Sequence, residues 1–236
     1  MTTGTPWKVV SFDLDDTFWD CAPVIERAER ALYQWHREHT PRIADAHDEV
    51  SLGEYRRRFR SANPHLAGYM TEIRRAGIAA LLGEHDYAGE HLVDAAMDWF
   101  LHHRSDVELY AGVIDLLGAL QGRYGLAAIT NGNANLEQIG IEEHFDIVLK
   151  PEPGLPPKPD AAMFSRCCAH FGIAPSSLLH IGDNPLTDVQ GALRFGAEAV
   201  WFNQQKSPWP EAQAPAHHEV ASIAELSALL LPDGAP

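Results

Sequence analysis

Asp13 and Asp15 stand two positions apart in Asp13-Leu14-Asp15-Asp16-Thr17, directly after the apolar run 7–12. Two carboxylates at the end of a buried strand are costly unless something there uses them. Side chains alternate along a strand, but the alternation relaxes where the chain leaves the sheet, so both acids can face one pocket. There they repel each other, and a divalent cation is the usual remedy. The same residues also read as a plain strand-to-loop turn with Asp16 and Thr17 as local caps. The remainder of the chain decides between the two.

Three further polar clusters bear on that choice. The run 126–129 leads into Thr130-Asn131-Gly132-Asn133, where a hydroxyl and glycine-loosened backbone N–H groups suit phosphoryl oxygens. Lys158, in Lys-Pro-Asp, supplies the positive charge such a site needs. The run 178–181 leads into Gly182-Asp183-Asn184-Pro185-Leu186-Thr187-Asp188; Gly182 allows a sharp turn, and Asp183 and Asp188 add two acids able to coordinate a hard cation through oxygen. Taken singly, these clusters read equally as a turn, a solvated lysine and a helix start.

The elements that must position these residues follow from hydropathy. Apolar runs at 7–12, 126–129, 146–149, 178–181 and 198–202 are strand-like, and the later ones alternate with helical patterns, which predicts an α/β fold with a doubly wound parallel sheet. Ligands of such sheets bind outside the carboxyl ends of the strands, where the acid- and threonine-bearing clusters stand. Between the first two runs, 22–39 carries Ile25, Ala28, Leu32 and Trp35 at helical spacing, and 66–82 and 90–103 behave similarly, predicting a helical insertion over 22–100. A helix at 112–122 then returns to the sheet. Pro151, Pro153, Pro156, Pro157 and Pro159 make 150–159 a stiff loop that can fix Lys158. The tail after Leu231 is expected to fray.

Composition narrows the partners. Lys plus Arg number 18 against 33 Asp plus Glu, a net charge of -15, which argues against nucleic acid or an anionic membrane and requires a local cation for any anionic substrate. No stretch has the length of a membrane span, and the start Met-Thr-Thr-Gly-Thr-Pro lacks the features of a secretory signal. Cys21, Cys167 and Cys168 have no zinc-type spacing and read as reduced packing residues of a cytoplasmic protein. The 13 histidines are scattered, without a helix-borne metal signature, and read mostly as surface residues. Oligomeric state is left open.

In this order, the four clusters resemble the signature motifs of the haloacid dehalogenase-like hydrolase superfamily: Asp-x-Asp-x-Thr, a strand-end Thr, Lys-Pro, and Gly-Asp followed by a further Asp. The resemblance spans about 1–20 and 105–205. It implies a Rossmann-like catalytic core over 1–21 and 101–236 and a helical cap over 22–100. Ala161 stands where the family often has a second proline, while Phe164 fits the pattern. By this resemblance Asp13 is the nucleophile and forms an aspartyl-phosphate, and Asp15 is the general acid and then the general base. Mg²⁺ is held by Asp13, the Asp15 carbonyl and Asp183, with Asp188 supporting it. Thr130, the backbone of Asn131 and Gly132, and Lys158 hold the phosphoryl group.

Dehalogenases of this superfamily lack an acid at the position of Asp15, so the resemblance points to small phosphate esters as substrates. The stretches 13–25, 129–134 and 182–192 are similar to bacterial phosphatases acting on FMN and on the phosphorylated ribitylamino-uracil of riboflavin synthesis. Trp19, Trp35, Tyr55, Phe59 and Tyr69 could face a planar ring, although Trp35 lies on a core stripe, and Arg56, Arg57, Arg58 and Arg60 read as a solvated helix face. Three alternatives remain: a nucleotide or sugar-phosphate phosphatase, a phosphomutase, or a non-catalytic phosphate- or partner-binding protein.

Overall fold

The computed structural model describes residues 7–232. Met1–Pro6, and the tail expected to fray apart from Pro232, lie outside the described residues. The chain forms two compact units, one of residues 1–20, 108–132 and 140–236 and the other of residues 21–107 and 133–139.

The first unit is built on six parallel strands in the order β3-β2-β1-β4-β5-β6. These are β1 (Val9–Phe12), β2 (Gly125–Ile129), β3 (Ile147–Leu149), β4 (Leu178–Gly182), β5 (Glu198–Phe202) and β6 (His218–Val220). In β1 every residue is buried, as a central parallel strand covered on both faces requires. The order reverses across β1, which pairs with β2 on one side and β4 on the other. That crevice is the topological switch point, and the loops after β1, β2 and β4 converge at its carboxyl end. One face of the sheet packs Met163, Phe164 and Cys167 of helix Ala162–Phe171 against Val9, Ala127, Leu178 and Ala199. Cys167 and Cys168 are free thiols in this core, with burial pushing the Cys167 thiol up to about 12.

Five runs with strand character predicted five strands, and a sixth is present. Strand β6 is three residues long and begins His218-Glu219, so it offers no apolar run to read; its pairing with β5 makes it a strand. The helix expected at 112–122 runs Val113–Leu120.

The second unit is helical, with Cys21–His39, Pro41–Ala46, Glu49–Ala62, Met70–Glu84 and Glu90–Arg104 as its main helices. Its core gathers Leu32, Trp35, Ile43, Leu52, Ile78, Leu81 and Phe100. Helix Glu49–Ala62 buries only Leu52 and starts at a capping box between Asp48 and Ser51, so its hydrophobic pattern is faint and its start signal is polar. The helix expected from 66 begins at Met70, because Pro64–Leu66 forms a separate 3-10 turn and Gly68 takes φ +85. Of the arginines read as a solvated face, Arg58 is exposed, but Arg56 pairs with Glu29 at 3.0 Å. Arg74 also binds Glu29, at 2.9 Å, and lies 3.5 Å over the Phe100 ring. Among the described residues, no helix is long and apolar enough to cross a membrane.

Candidate active site

Strand β1 ends at Phe12, and the next residue, Asp13, donates its backbone N–H to the Ile181 carbonyl of β4. This holds the first acid at the seam of the two strands. The chain then turns tightly: Thr17 and Phe18 donate to the Leu14 carbonyl, Asp16 donates to the Trp19 carbonyl, and Asp16 adopts φ +57. Aspartate tolerates this left-handed conformation better than most residues. The turn brings the Trp19 indole back so that Nε1 donates to Asp15 Oδ1 at 2.9 Å. Trp19 is fully buried, as Trp35 is almost fully. Of the aromatic residues considered for a planar ring, these two are therefore core.

Lys158 arrives from the proline-rich loop with its side chain 1% exposed, and its Nζ lies 2.9 Å from Asp13 Oδ1 and 2.6 Å from Asp188 Oδ1. Asn131 fixes the loop from the end of β2: its amide nitrogen donates to the Lys158 carbonyl at 2.9 Å, and its amide oxygen accepts from the Lys158 N–H at 2.8 Å. Thr130 is buried, and its hydroxyl oxygen accepts the Gly132 N–H at 2.9 Å. Gly132 is required by space, since a Cβ there would lie 2.2 Å from Asp15 Oδ2. After β4, Asn184 caps the turn Pro185–Gln190 by accepting from the Leu186 and Thr187 N–H groups, and its own N–H donates to Asp188 Oδ2 at 2.9 Å.

Electrostatics distinguish the acids. Burial pushes Asp13 up to about 7, against the pull of Lys158 and with the repulsion of Asp188 behind it. Asp188 shares the same ammonium and is also buried, yet Lys158 and His180 hold it down at about 2. Burial, then repulsion from Asp188 and Asp13, raises Asp183 to about 8. Oxygen atoms of Asp13, Asp183 and Asp188 all lie within 4.8 Å of one another. With all three acids ionised, one ammonium would leave two negative charges over in a buried place, and the raised Asp13 and Asp183 reflect that cost. The surplus and the all-oxygen donor set fit a hard divalent cation.

The structure thus gathers Asp13, Lys158, Asp183 and Asp188 into one cluster, with Thr130 and Asn131 at the neighbouring strand end and Asp15 against Gly132. A cavity of about 610 Å³ opens elsewhere, among Gln121, Arg123, His144 and Phe171. It lies at the amino ends of β2 and β3, away from the carboxylates. The sequence reading missed Trp19 as the donor to Asp15. It also missed Ser11 and His180, which meet at 2.9 Å and lead to Asp188. Their signal was available: each is a lone polar residue inside an otherwise apolar strand, Val-Val-Ser-Phe and Leu-Leu-His-Ile.

A parallel sheet with this strand order is a doubly wound α/β fold, and its acids stand at the switch point where such folds bind their ligands. The family model for haloacid dehalogenase-like hydrolases matches residues 7–196, and the chain belongs to that family. Among its relatives is the 5-amino-6-(5-phospho-D-ribitylamino)uracil phosphatase YigB of Escherichia coli, 32% identical over 94% of this chain and 96% of that protein. A phosphoglycolate phosphatase of Chromobacterium violaceum is 30% identical over 82% of this chain and 83% of that protein. A solved structure described as a 2-haloacid dehalogenase from Pseudomonas syringae superposes with a TM-score of 0.86 at 32% identity, covering 97% of this chain and all of that one. Within the family, this chain is a phosphatase, a phosphoric monoester hydrolase.

Proposed function

We propose that the protein is a Mg²⁺-dependent phosphatase of a small phosphate monoester that works through an aspartyl-phosphate, with the phosphorylated ribitylamino-uracil of riboflavin synthesis as its leading substrate. The observation that carries the reading is the buried Lys158 ammonium bridging Asp13 and Asp188. It leaves an Asp13 carboxylate oxygen as nucleophile beside a fixed positive charge that can meet the equatorial oxygens of a phosphoryl group.

In the first step Asp13 attacks phosphorus, the ester P–O bond breaks, and Asp15 gives its proton to the departing alkoxide. In the second, Asp15 takes a proton from water, the hydroxide attacks the aspartyl-phosphate, and inorganic phosphate leaves with Asp13 restored. The Trp19 indole on Asp15 Oδ1 and the Gly132 backbone beside Oδ2 hold this carboxyl in one orientation for both proton transfers. The Thr130 hydroxyl, whose oxygen already accepts from Gly132, has its hydrogen left to donate to the phosphoryl group. Asp13, Asp183 and the Asp15 carbonyl, supported by Asp188, would hold Mg²⁺, which when bound supplies charge neutralisation for the phosphoryl oxygens.

The dehalogenase description of the structural neighbour is a different chemistry on the same fold. Breaking a carbon–halogen bond leaves a halide that needs no proton, and Asp15 would then have no task. The substrate class is supported by the similarity to YigB over nearly the whole of both chains. The helical unit, as a cap, would be where substrates are told apart.

The test is phosphate release with Mg²⁺ across a panel holding the ribitylamino-uracil phosphate, FMN, sugar phosphates and nucleoside monophosphates. Preference for the ribitylamino-uracil phosphate is the expected result. Equal or better turnover of a sugar phosphate or nucleotide would remove the substrate assignment, and release of halide from a haloacid would remove the reaction class.

A further inference from the structure

Lys158 and Asn184 account for part of the Asp188 carboxylate's surroundings, and a side chain with no task in the mechanism above accounts for more. His180 lies within β4, and Ser11 is its register partner on β1; both are fully buried. A polar pair in the middle of two central strands incurs a desolvation cost that only hydrogen bonds offset. Ser11 Oγ lies 2.9 Å from His180 Nδ1, and His180 Nε2 lies 3.4 Å from Asp188 Oδ1.

The hydrogens on this chain of groups can be assigned. Asp188 Oδ1 accepts from the Lys158 ammonium at 2.6 Å, so the hydrogen between this oxygen and His180 belongs to Nε2. Nδ1, with the Ser11 hydroxyl as its partner at 2.9 Å, is then the acceptor of that hydroxyl. The Leu179 carbonyl is the other acceptor in reach of Ser11, at the longer distance of 3.4 Å. Phe164 packs edge-on against the imidazole, with ring centroids 5.0 Å apart, and opposes a change of ring orientation. Serine, histidine and aspartate in this order have the composition of a nucleophilic triad, but the serine is sealed from any substrate.

We propose that Ser11 and His180 are positioning residues of the phosphatase site: Ser11 fixes His180 as its Nε2–H tautomer, and that N–H steadies Asp188 so that Lys158 bridges to Asp13. The Asn184 N–H holds the second oxygen of Asp188. Asp188 is thereby gripped at both oxygens, and the ammonium it shares with Asp13 has one resting place rather than several. The proposal rests on the roles given to Asp13 and Lys158 above and extends the site two strands deep, to residues that touch no substrate.

The first measurement needs neither substrate nor metal. In the ¹⁵N-histidine-labelled wild-type protein at neutral pH, the His180 resonances, identified by their absence from His180→Phe or His180→Gln, are expected to report the Nε2–H tautomer. In Ser11→Ala they are expected to shift toward a mixture with the Nδ1–H form. Kinetics supply the second arm. His180→Phe keeps the edge-on packing and removes the donor, so kcat should fall about tenfold or more while KM stays within about threefold. His180→Gln, whose amide can place an N–H where Nε2–H stood, should recover most of that loss. Ser11→Ala should cost little more when added to His180→Phe, because both act through the same N–H.

A wild-type His180 with its hydrogen on Nδ1, or losses from Ser11→Ala and His180→Phe that simply add, would overturn the proposal. So would a His180→Gln no better than His180→Phe. The tautomer reading is distinct from the activity reading: the expected tautomer in a protein without phosphatase activity would point to failure of the reaction assignment, and an active phosphatase with the wrong tautomer to failure of the relay.

Discussion

At the scale of the residue, the cluster around Lys158 makes the strongest demands. Asp13 is the one acid assigned to nucleophilic attack, and an amide in its place cannot form the acyl-phosphate bond. Asp13→Asn is therefore expected to lower kcat by roughly 10³-fold or more, with an unchanged circular dichroism spectrum. Residual turnover near the wild-type rate would rule out Asp13 as nucleophile. Asp183 has its pKa raised to about 8 by burial and by its acidic neighbours, so the metal-free site is strained electrostatically and a bound cation should relieve it. Saturating Mg²⁺ is expected to raise the melting temperature of the wild-type protein, since ligand at about a hundredfold over Kd stabilises by ~2.7 kcal/mol. The rise should vanish with a chelator and be much smaller in Asp183→Asn, as read by scanning calorimetry. Equal shifts in the two proteins would place the cation elsewhere.

At the scale of the element, glycines and buried histidines show how strands and helices are committed to their roles. Gly182 closes β4, and a Cβ there would lie 2.4 Å from Asp188 Cγ. Gly182→Ala must displace the Asp188 carboxylate from Lys158, and activity should fall about a hundredfold, far beyond the loss of stability seen in urea. A loss of stability matching the loss of activity would argue that the glycine serves packing alone.

In the helical unit, His36 is buried on helix Cys21–His39 with its Nδ1 2.8 Å from Thr40 Oγ1. Burial, then the neighbouring Arg56 and His85, pushes it down to about 4 from an ordinary value of 6.5. The unfolded chain therefore takes up a proton here that the folded one refuses. The contribution to stability is complete above about pH 6.5 and is lost as pH falls toward about 4, a span worth roughly 3 kcal/mol. Denaturation midpoints at about pH 7.5 and pH 4.5 should differ more for the wild type than for His36→Gln; identical pH slopes would show that His36 titrates normally.

At the scale of the whole molecule, the net charge of -15 opposes any phosphate ester before it reaches Lys158. Screening weakens that repulsion, so kcat/KM is expected to rise a few-fold as ionic strength goes from about 10 to about 100 mM at fixed Mg²⁺. A fall over the same range would mean that a local positive field dominates approach. The chain's larger organisation was legible to unequal degrees. The acids at 13 and 15, Thr130, Lys158 and the Gly182–Asp188 turn were legible as an ordered set, each alone reading equally as a turn, a solvated lysine or a helix start, and the apolar runs placed five of the strands because strands buried on both faces must be apolar. Strand β6 and helix Glu49–Ala62 escaped because one has too few apolar residues to show a period and the other turns a single one inward. The sequence by itself determined which chemistry-bearing residues stand at strand ends, since hydropathy and turn chemistry are local. Only the tertiary structure decided that Lys158 bridges Asp13 and Asp188, that Trp19 holds Asp15, and that Ser11 and His180 lie beneath them, because strand order and register, fixed by the packing of the entire sheet, bring together residues as far as 169 positions apart.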